Sequence, residues 1–225
     1  MPRRKRAPAL ALATRNRGKV LEFSALFASF GLEVFGLDHF TGLADVEESG
    51  ASFMENARLK AAGVCAATGL VTVADDSGLM VDALNGRPGI YSARFWELEK
   101  GGGGALSGGD FIERSERDRR NNALLTELLR GLPPEKLTAR FCCALAAQAP
   151  GGAGIGVEGR WEGLILHEPR GENGFGYDPL FFDPEAGLSA AEMSLSLKNE
   201  RSHRARAARK LLALWPSFLD RAGLR

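Results

Sequence analysis

A chain of 225 residues is long enough to bury one large core or to form two lobes around a cleft, and its 44% hydrophobic and 25% charged content is that of an average globular protein. Twenty-nine Lys and Arg side chains against 28 acidic ones exclude a global field that would select a partner. No stretch approaches the ~20 apolar residues of a membrane span, and the apolar run Ala9 to Ala13 is too short for a signal peptide. Cys65, Cys142 and Cys143 are odd in number and lack both disulfide-framework and zinc spacing, so a reducing, cytoplasmic setting is expected.

In chain order, residues 1–8, with Arg3, Arg4, Lys5 and Arg6, read as a disordered basic tail on a single domain spanning 1–225. Pro8 to Ala13 reads as a short buried strand. Val20, Phe23, Phe27 and Phe30 then recur at helical spacing, with Gly31 as the stop. Ser52 and Glu55 have capping-box spacing and open a second, alanine-rich helix that runs to about Thr68. Leu70 to Ala74 is a strand that ends on Asp75-Asp76-Ser77-Gly78, and Asn85-Gly86-Arg87-Pro88-Gly89 is turn chemistry. Gly101 to Gly104, with Gly108 and Gly109, marks a flexible loop before a helix from about Gly109 to Arg130. Ala139, Phe141, Cys143 and Leu145 alternate as one strand face, and Pro150-Gly151-Gly152 turns into a strand over about 154–163. Ser202 caps a last helix with the apolar stripe Ala205, Ala208, Leu211, Leu212 and Trp215. The order implies a mixed α/β fold in which helices and strands alternate early and antiparallel strands gather late.

Four segments carry chemistry. Thr14-Arg15-Asn16-Arg17-Gly18-Lys19 joins a strand to a helix, where backbone N–H groups and a lysine favour an anion. It lacks the first glycine and the Ser/Thr of a Walker A loop, and an ordinary turn would read the same way. Asp75 and Asp76 place two carboxylates at a strand end; alternation would aim them in different directions, one to hold magnesium or deprotonate water. An acidic turn is the plainer alternative. In Asn173-Gly174-Phe175-Gly176-Tyr177-Asp178-Pro179 the aromatics could stack on a nucleobase or simply plug the core. In Lys198-Asn199-Glu200-Arg201-Ser202-His203-Arg204, cations at a helix start oppose its dipole, and an arriving acceptor would relieve the conflict.

Taken in sequence, these blocks, together with Glu55-Asn56-Ala57, Lys60 and Pro88-Gly89-Ile90-Tyr91-Ser92-Ala93-Arg94, resemble the inosine triphosphate pyrophosphatase family from about Ala9 to Leu214. That resemblance implies a two-lobed α/β fold on a long mixed β-sheet flanked by helices, with an active-site cleft and usually a homodimer. It implies Mg2+-dependent hydrolysis of ITP, dITP and XTP to the monophosphate and pyrophosphate. Carried over by position, Thr14, Arg15, Asn16, Arg17, Gly18, Lys19 and Lys60 would hold the phosphates. Asp76 would be the catalytic carboxylate and a metal ligand with Glu48, Glu47 remaining an alternative. Asp75 would support the metal site and Ser77 would contact substrate. Phe175, Gly176, Tyr177 and Asp178 would form the base loop, with Lys198, His203 and Arg204 reading the purine. Two rivals are a Maf-like pyrophosphatase and a nucleic-acid-binding protein that uses the two basic ends.

Overall fold

The computed structural model describes residues 9–28, 31–101 and 113–224. The basic tail, Phe30, the glycine run after Gly101 and the expected helix start near Gly109 lie outside the described residues. Among the described residues, seven strands form one mixed sheet: β1 (Ala9–Leu12), β2 (Glu33–Gly36), β3 (Thr72–Val81), β4 (Thr138–Gln148), β5 (Gly154–Ile165), β6 (Phe181–Asp183) and β7 (Leu188–Ser189). Their spatial order is β2-β1-β3-β4-β5-β6-β7. The flanking helices are α1 (Arg17–Ala28), α2 (Phe53–Thr68), α3 (Phe95–Glu99), α4 (Arg114–Leu129), α5 (Leu195–Arg201) and α6 (His203–Arg221).

The fold resolves into two compact units. One takes the described residues of Met1–Asp76, Cys143–Arg160 and Asn199–Arg225, the other those of Ser77–Cys142 and Trp161–Lys198.

In the first unit β1 pairs parallel with both β2 and β3, with Leu12 opposite Gly36 and opposite Val73. Alternation along these strands creates two cores. Leu10, Leu12, Val73, Cys143 and Leu145 face Phe23 and Phe27 of α1 and Leu211, Leu212 and Phe218 of α6. Ala11, Ala13, Ala74, Ala144 and Ala146 face Ala57, Ala61 and Val64 of α2. Small side chains on both surfaces let α2 lie close to the sheet, which shortens the reach of its polar residues toward β3. Ser52 caps α2 by accepting from the Glu55 N–H, and Glu55 answers by accepting from Ala51 N, one residue before the capping-box position.

In the second unit β6 pairs antiparallel with β5 and with β7. Its core gathers Leu79, Val81, Phe95, Leu124, Leu125, Phe141, Trp161, Tyr177 and Phe181. The turn residues Asn85 and Gly86 adopt φ of 54° and 82°, and the Arg87–Pro88 bond is cis.

One expectation needs correction. β3 does not stop before the aspartates but continues through Asp75, Asp76, Ser77 and Gly78 to Val81. Both carboxylates find cations and Gly78 finds a neighbour that occupies its missing side-chain space, so tertiary contacts override the local turn signal. β4 buries the expected face at Ala139, Phe141, Cys143 and Leu145, and from Phe141 to Ala147 it buries the other face as well.

Candidate active site

The extended backbone of β3 aims its two carboxylates at opposite layers. Asp75 follows Val73 onto the α1/α6 face, where Lys19 Nζ lies 2.6 Å from Oδ2 and Arg204 Nε 3.6 Å away. Cys143 of β4 donates its Sγ–H to Oδ1 at 3.0 Å. Arg204 is also held by Glu22 of α1, with 2.9 Å between Nη1 and Oε2. Burial alone would push the Asp75 carboxyl up, but Lys19, then Arg204, and the hydrogen bonds from Lys19 and Cys143 hold it well below the usual carboxylate range. The same burial, with Asp75 beside it, pushes the Cys143 thiol well up, so it stays a protonated donor. The dipole conflict foreseen at the start of α6 is therefore met by acidic side chains of the chain itself.

Asp76 follows Ala74 onto the α2 face. Asn56 and Lys60, one helical turn apart, both donate to it, Nδ2 to Oδ2 at 3.3 Å and Nζ to Oδ1 at 2.9 Å. Lys60 also meets Glu48 Oε1 at 3.3 Å. Burial raises the Asp76 carboxyl; Lys60 pulls it down and Glu48 pushes it up, and the net result lies above an ordinary aspartate. Burial lowers Lys60, yet Asp76 and Glu48 together raise it, so the ammonium persists. Asp76 is thus a stronger base than a free aspartate.

Two carboxylates converging on one ammonium are a donor set that also fits a hard divalent cation. Among the described residues no three acidic, His or Cys side chains group tightly enough to hold a metal by themselves. Glu48, rather than Glu47, is the glutamate that reaches Lys60.

Around the Thr14–Lys19 turn, Asn16 Oδ1 accepts from the Gly18 and Lys19 N–H groups at 3.0 and 3.3 Å, which caps α1 from within. Thr14 Oγ1 in turn accepts from Asn16 N at 3.2 Å. Arg15 points to Asp45 and to the Leu43 carbonyl, while Arg17 is exposed at the first position of α1.

In the second unit the loop at Phe175 is held by hydrogen bonds. Gly174, at φ 80°, leaves room for Asp178, since a Cβ there would sit 2.1 Å from its Oδ2. That oxygen accepts from Phe175 N at 2.8 Å and from Lys198 Nζ at 2.7 Å. Tyr177 is buried and donates its hydroxyl to the Ser92 carbonyl at 2.9 Å; burial, then Asp118, hold its pKa far up. Phe175 is half-buried, with Arg114 and Lys198 over its ring at 4.9 and 5.3 Å. Ser77 opens this unit at a half-buried position, whereas in the first unit His203 is only 1% exposed.

Sequence reasoning missed Asp118 and Asn122 of α4, which clamp the loop through Gly176 N (2.8 Å) and Gly176 O (3.0 Å). It also missed Glu22, Cys143 and the use of Asn56. Glu22 sits at i+3 from Lys19 on the same helix face, and that spacing beside a basic loop was the available signal.

Residues 10–214 match the model of the Ham1 family. A dITP/XTP pyrophosphatase of Nitratidesulfovibrio vulgaris is 51% identical over 209 residues, 93% of this chain and 96% of the relative. One from Geobacillus kaustophilus is 45% identical over 214 residues, covering 95% and 97%. Among solved structures, a HAM1 protein from Coxiella burnetii is similar with a TM-score of 0.76 and 33% identity, over 93% of this chain and 99% of that one.

Proposed function

The chain belongs to the Ham1 family, and from that premise we propose that it hydrolyses the non-standard purine nucleoside triphosphates ITP, dITP and XTP to the monophosphate and pyrophosphate. The observation that carries the reading is the pair of adjacent carboxylates with divergent environments. Asp75 is locked as an anion by Lys19 and Arg204, while Asp76 is a raised base beside a persistent ammonium. Groups pushed apart in this way commonly take different chemical roles.

Asp76 accepts the proton of the attacking water at its carboxylate, a task suited to its raised basicity. Lys60 and Lys19 neutralise the phosphates, together with the Thr14, Arg15, Asn16, Arg17 and Gly18 turn. Asp75 keeps Lys19 oriented. Glu48 and Asp76 would hold Mg2+, which when bound offsets the negative charge that otherwise repels a nucleophile from the α–β phosphoanhydride. Asn56 keeps Asp76 aligned as Lys60 turns from carboxylate to phosphate.

Ser77 contacts the substrate, and Phe175 stacks on the purine in the loop of Gly176, Tyr177 and Asp178. Lys198, His203 and Arg204 supply donors to the base. Hypoxanthine and xanthine present an acceptor at position 6, where adenine presents a donor. A donor set stranded by adenine gives discrimination of up to about 10⁴-fold. The enzyme is proposed to act as a cytoplasmic homodimer; among the described residues no helix is long and apolar enough to cross a membrane.

The test is pyrophosphate release from ITP, XTP, dITP, GTP and ATP, with Mg2+ and with EDTA. Release from ITP, XTP and dITP, suppressed by EDTA and weak with GTP and ATP, is expected. Equal rates with ATP, or no release from ITP, would discard the reading.

A further inference from the structure

The basic residues Arg206, Arg209 and Lys210 have no part in the chemistry above, and they line a second feature of the first unit. Helix α6 packs directly on β5 because Gly159 leaves space for it: a Cβ there would stand 2.2 Å from the His203 carbonyl oxygen and 2.5 Å from Ala207 N. The neighbours of that glycine, Glu158 and Arg160, point outward and are exposed. With Arg206, Arg209 and Lys210 they line a concavity of about 640 Å³.

Three of its four cations are fixed by backbone carbonyls rather than by carboxylates. Arg206 donates through Nη1 to the Arg160 carbonyl at 3.0 Å and through Nε to the Arg201 carbonyl at 3.0 Å. Arg209 donates to the Glu200 carbonyl at 2.9 Å and Lys210 to the Glu158 carbonyl at 2.7 Å. The one ion pair of the concavity among the described residues is Arg160 with Glu158, at 3.8 Å between exposed side chains. Carbonyl anchoring orients a cation without cancelling its charge. The result is four positive groups against one carboxylate, already ordered, around a volume suited to a small polyanion.

We propose that this concavity is a binding site for a short polyphosphate anion of the pyrophosphate or tripolyphosphate class, separate from the Asp75/Asp76 centre. Guanidinium groups match phosphate oxygens in pairs, and pre-ordered cations lose little freedom on binding. A short, open hollow lined by five residues, one of them acidic, favours a compact ligand over a nucleic-acid strand, which calls for an extended basic track.

The test uses the full chain and inorganic pyrophosphate, titrated calorimetrically in EDTA, with thermal unfolding as the check on folding. Wild-type protein and the Lys19→Ala variant are both expected to bind pyrophosphate at this site. Combined Arg209→Ser and Lys210→Ser, both at exposed positions, should weaken that binding by roughly tenfold or more. Glu158→Gln, which removes only the negative wall, should tighten it about two- to fivefold. The Glu158→Gln arm decides the matter if the double variant does not fold. Pyrophosphate binding unchanged in the double variant, or unchanged by Glu158→Gln, overturns the proposal. So does binding of single- or double-stranded DNA that is tighter than pyrophosphate and lost in the double variant.

Discussion

Asp75→Asn tests the buried charge network by its effect on stability. The substitution keeps the shape of the side chain and removes its charge, leaving Lys19 and Arg204 beside a neutral amide. Stranding buried cations costs about 3–5 kcal/mol. Lys19 is 16% exposed along its side chain and can turn outward, and Arg204 keeps Glu22, so the lower end, about 3 kcal/mol, is expected at neutral pH. The pH dependence is more specific. Because the folded-state pKa of Asp75 lies below its unfolded value, its contribution is complete above the ordinary aspartate pKa of ~3.9 and is lost as pH falls toward the folded value. Each pH unit in that window removes about 1.4 kcal/mol from the wild type and nothing from the variant at this position. Between about pH 5 and pH 2.5 the gap between the two proteins should therefore narrow by about 2 kcal/mol. Urea unfolding across that range measures it, and all other carboxylates cancel in the difference. A gap that stays constant would show that Asp75 is not held ionised by its neighbours.

Further substitutions separate the roles of neighbouring groups. Asp76→Asn should leave the fold intact and reduce pyrophosphate release from ITP by a factor of about 10³ or more, since it removes a proton acceptor and a metal ligand together; near-wild-type turnover in folded protein would remove Asp76 from the chemistry. Lys19→Ala should raise KM for the triphosphate more than it lowers kcat, and an unchanged KM would count against the phosphate role of the turn. Arg204→Ala should erase the preference for ITP over ATP, whereas an unaltered ratio would put base reading elsewhere. Gly78→Ala drives a methyl to 2.3 Å from Ser92 Oγ and 2.4 Å from the Gly89 carbonyl oxygen, so a loss of about 1–3 kcal/mol in urea unfolding is expected; unaltered stability would mean that this turn yields freely.

What the sequence made legible was local. The caps at Ser52 and Ser202, the stripe of α6 and the short β1 are all written in spacings of a few residues, and each appears in the structure. The Ser-Gly after Asp76 has the composition of a turn, and the strand continues through it because the two carboxylates meet cations and Ser92 approaches, its Oγ accepting from Leu79 N at 2.9 Å. Helix α5 and the Pro216 carried inside α6 left no such pattern. At the candidate site, the motif residues stood out because charge and glycine cluster in short words. Their supports did not, because Glu22 and Arg204 are 182 positions apart and Cys143 and Asp75 are 68 apart. Pairings at that range follow from the fold and are not encoded in any window of sequence.

Placing two aspartates back to back on a strand also polices alignment. Every side chain on β3 changes face if the strand shifts one place against β1, where Leu12 now sits opposite Val73. Such a slip would push Asp76 into the pocket built for Asp75 and carry Ser77 to the lysine of α2, stranding charges in both layers. A one-codon deletion between Gly69 and Thr72 should therefore be far less tolerable than an equal change in the exposed turn at Pro150-Gly151-Gly152. The acidic pair thus serves as a reading-frame mark for the sheet as well as an instrument of chemistry.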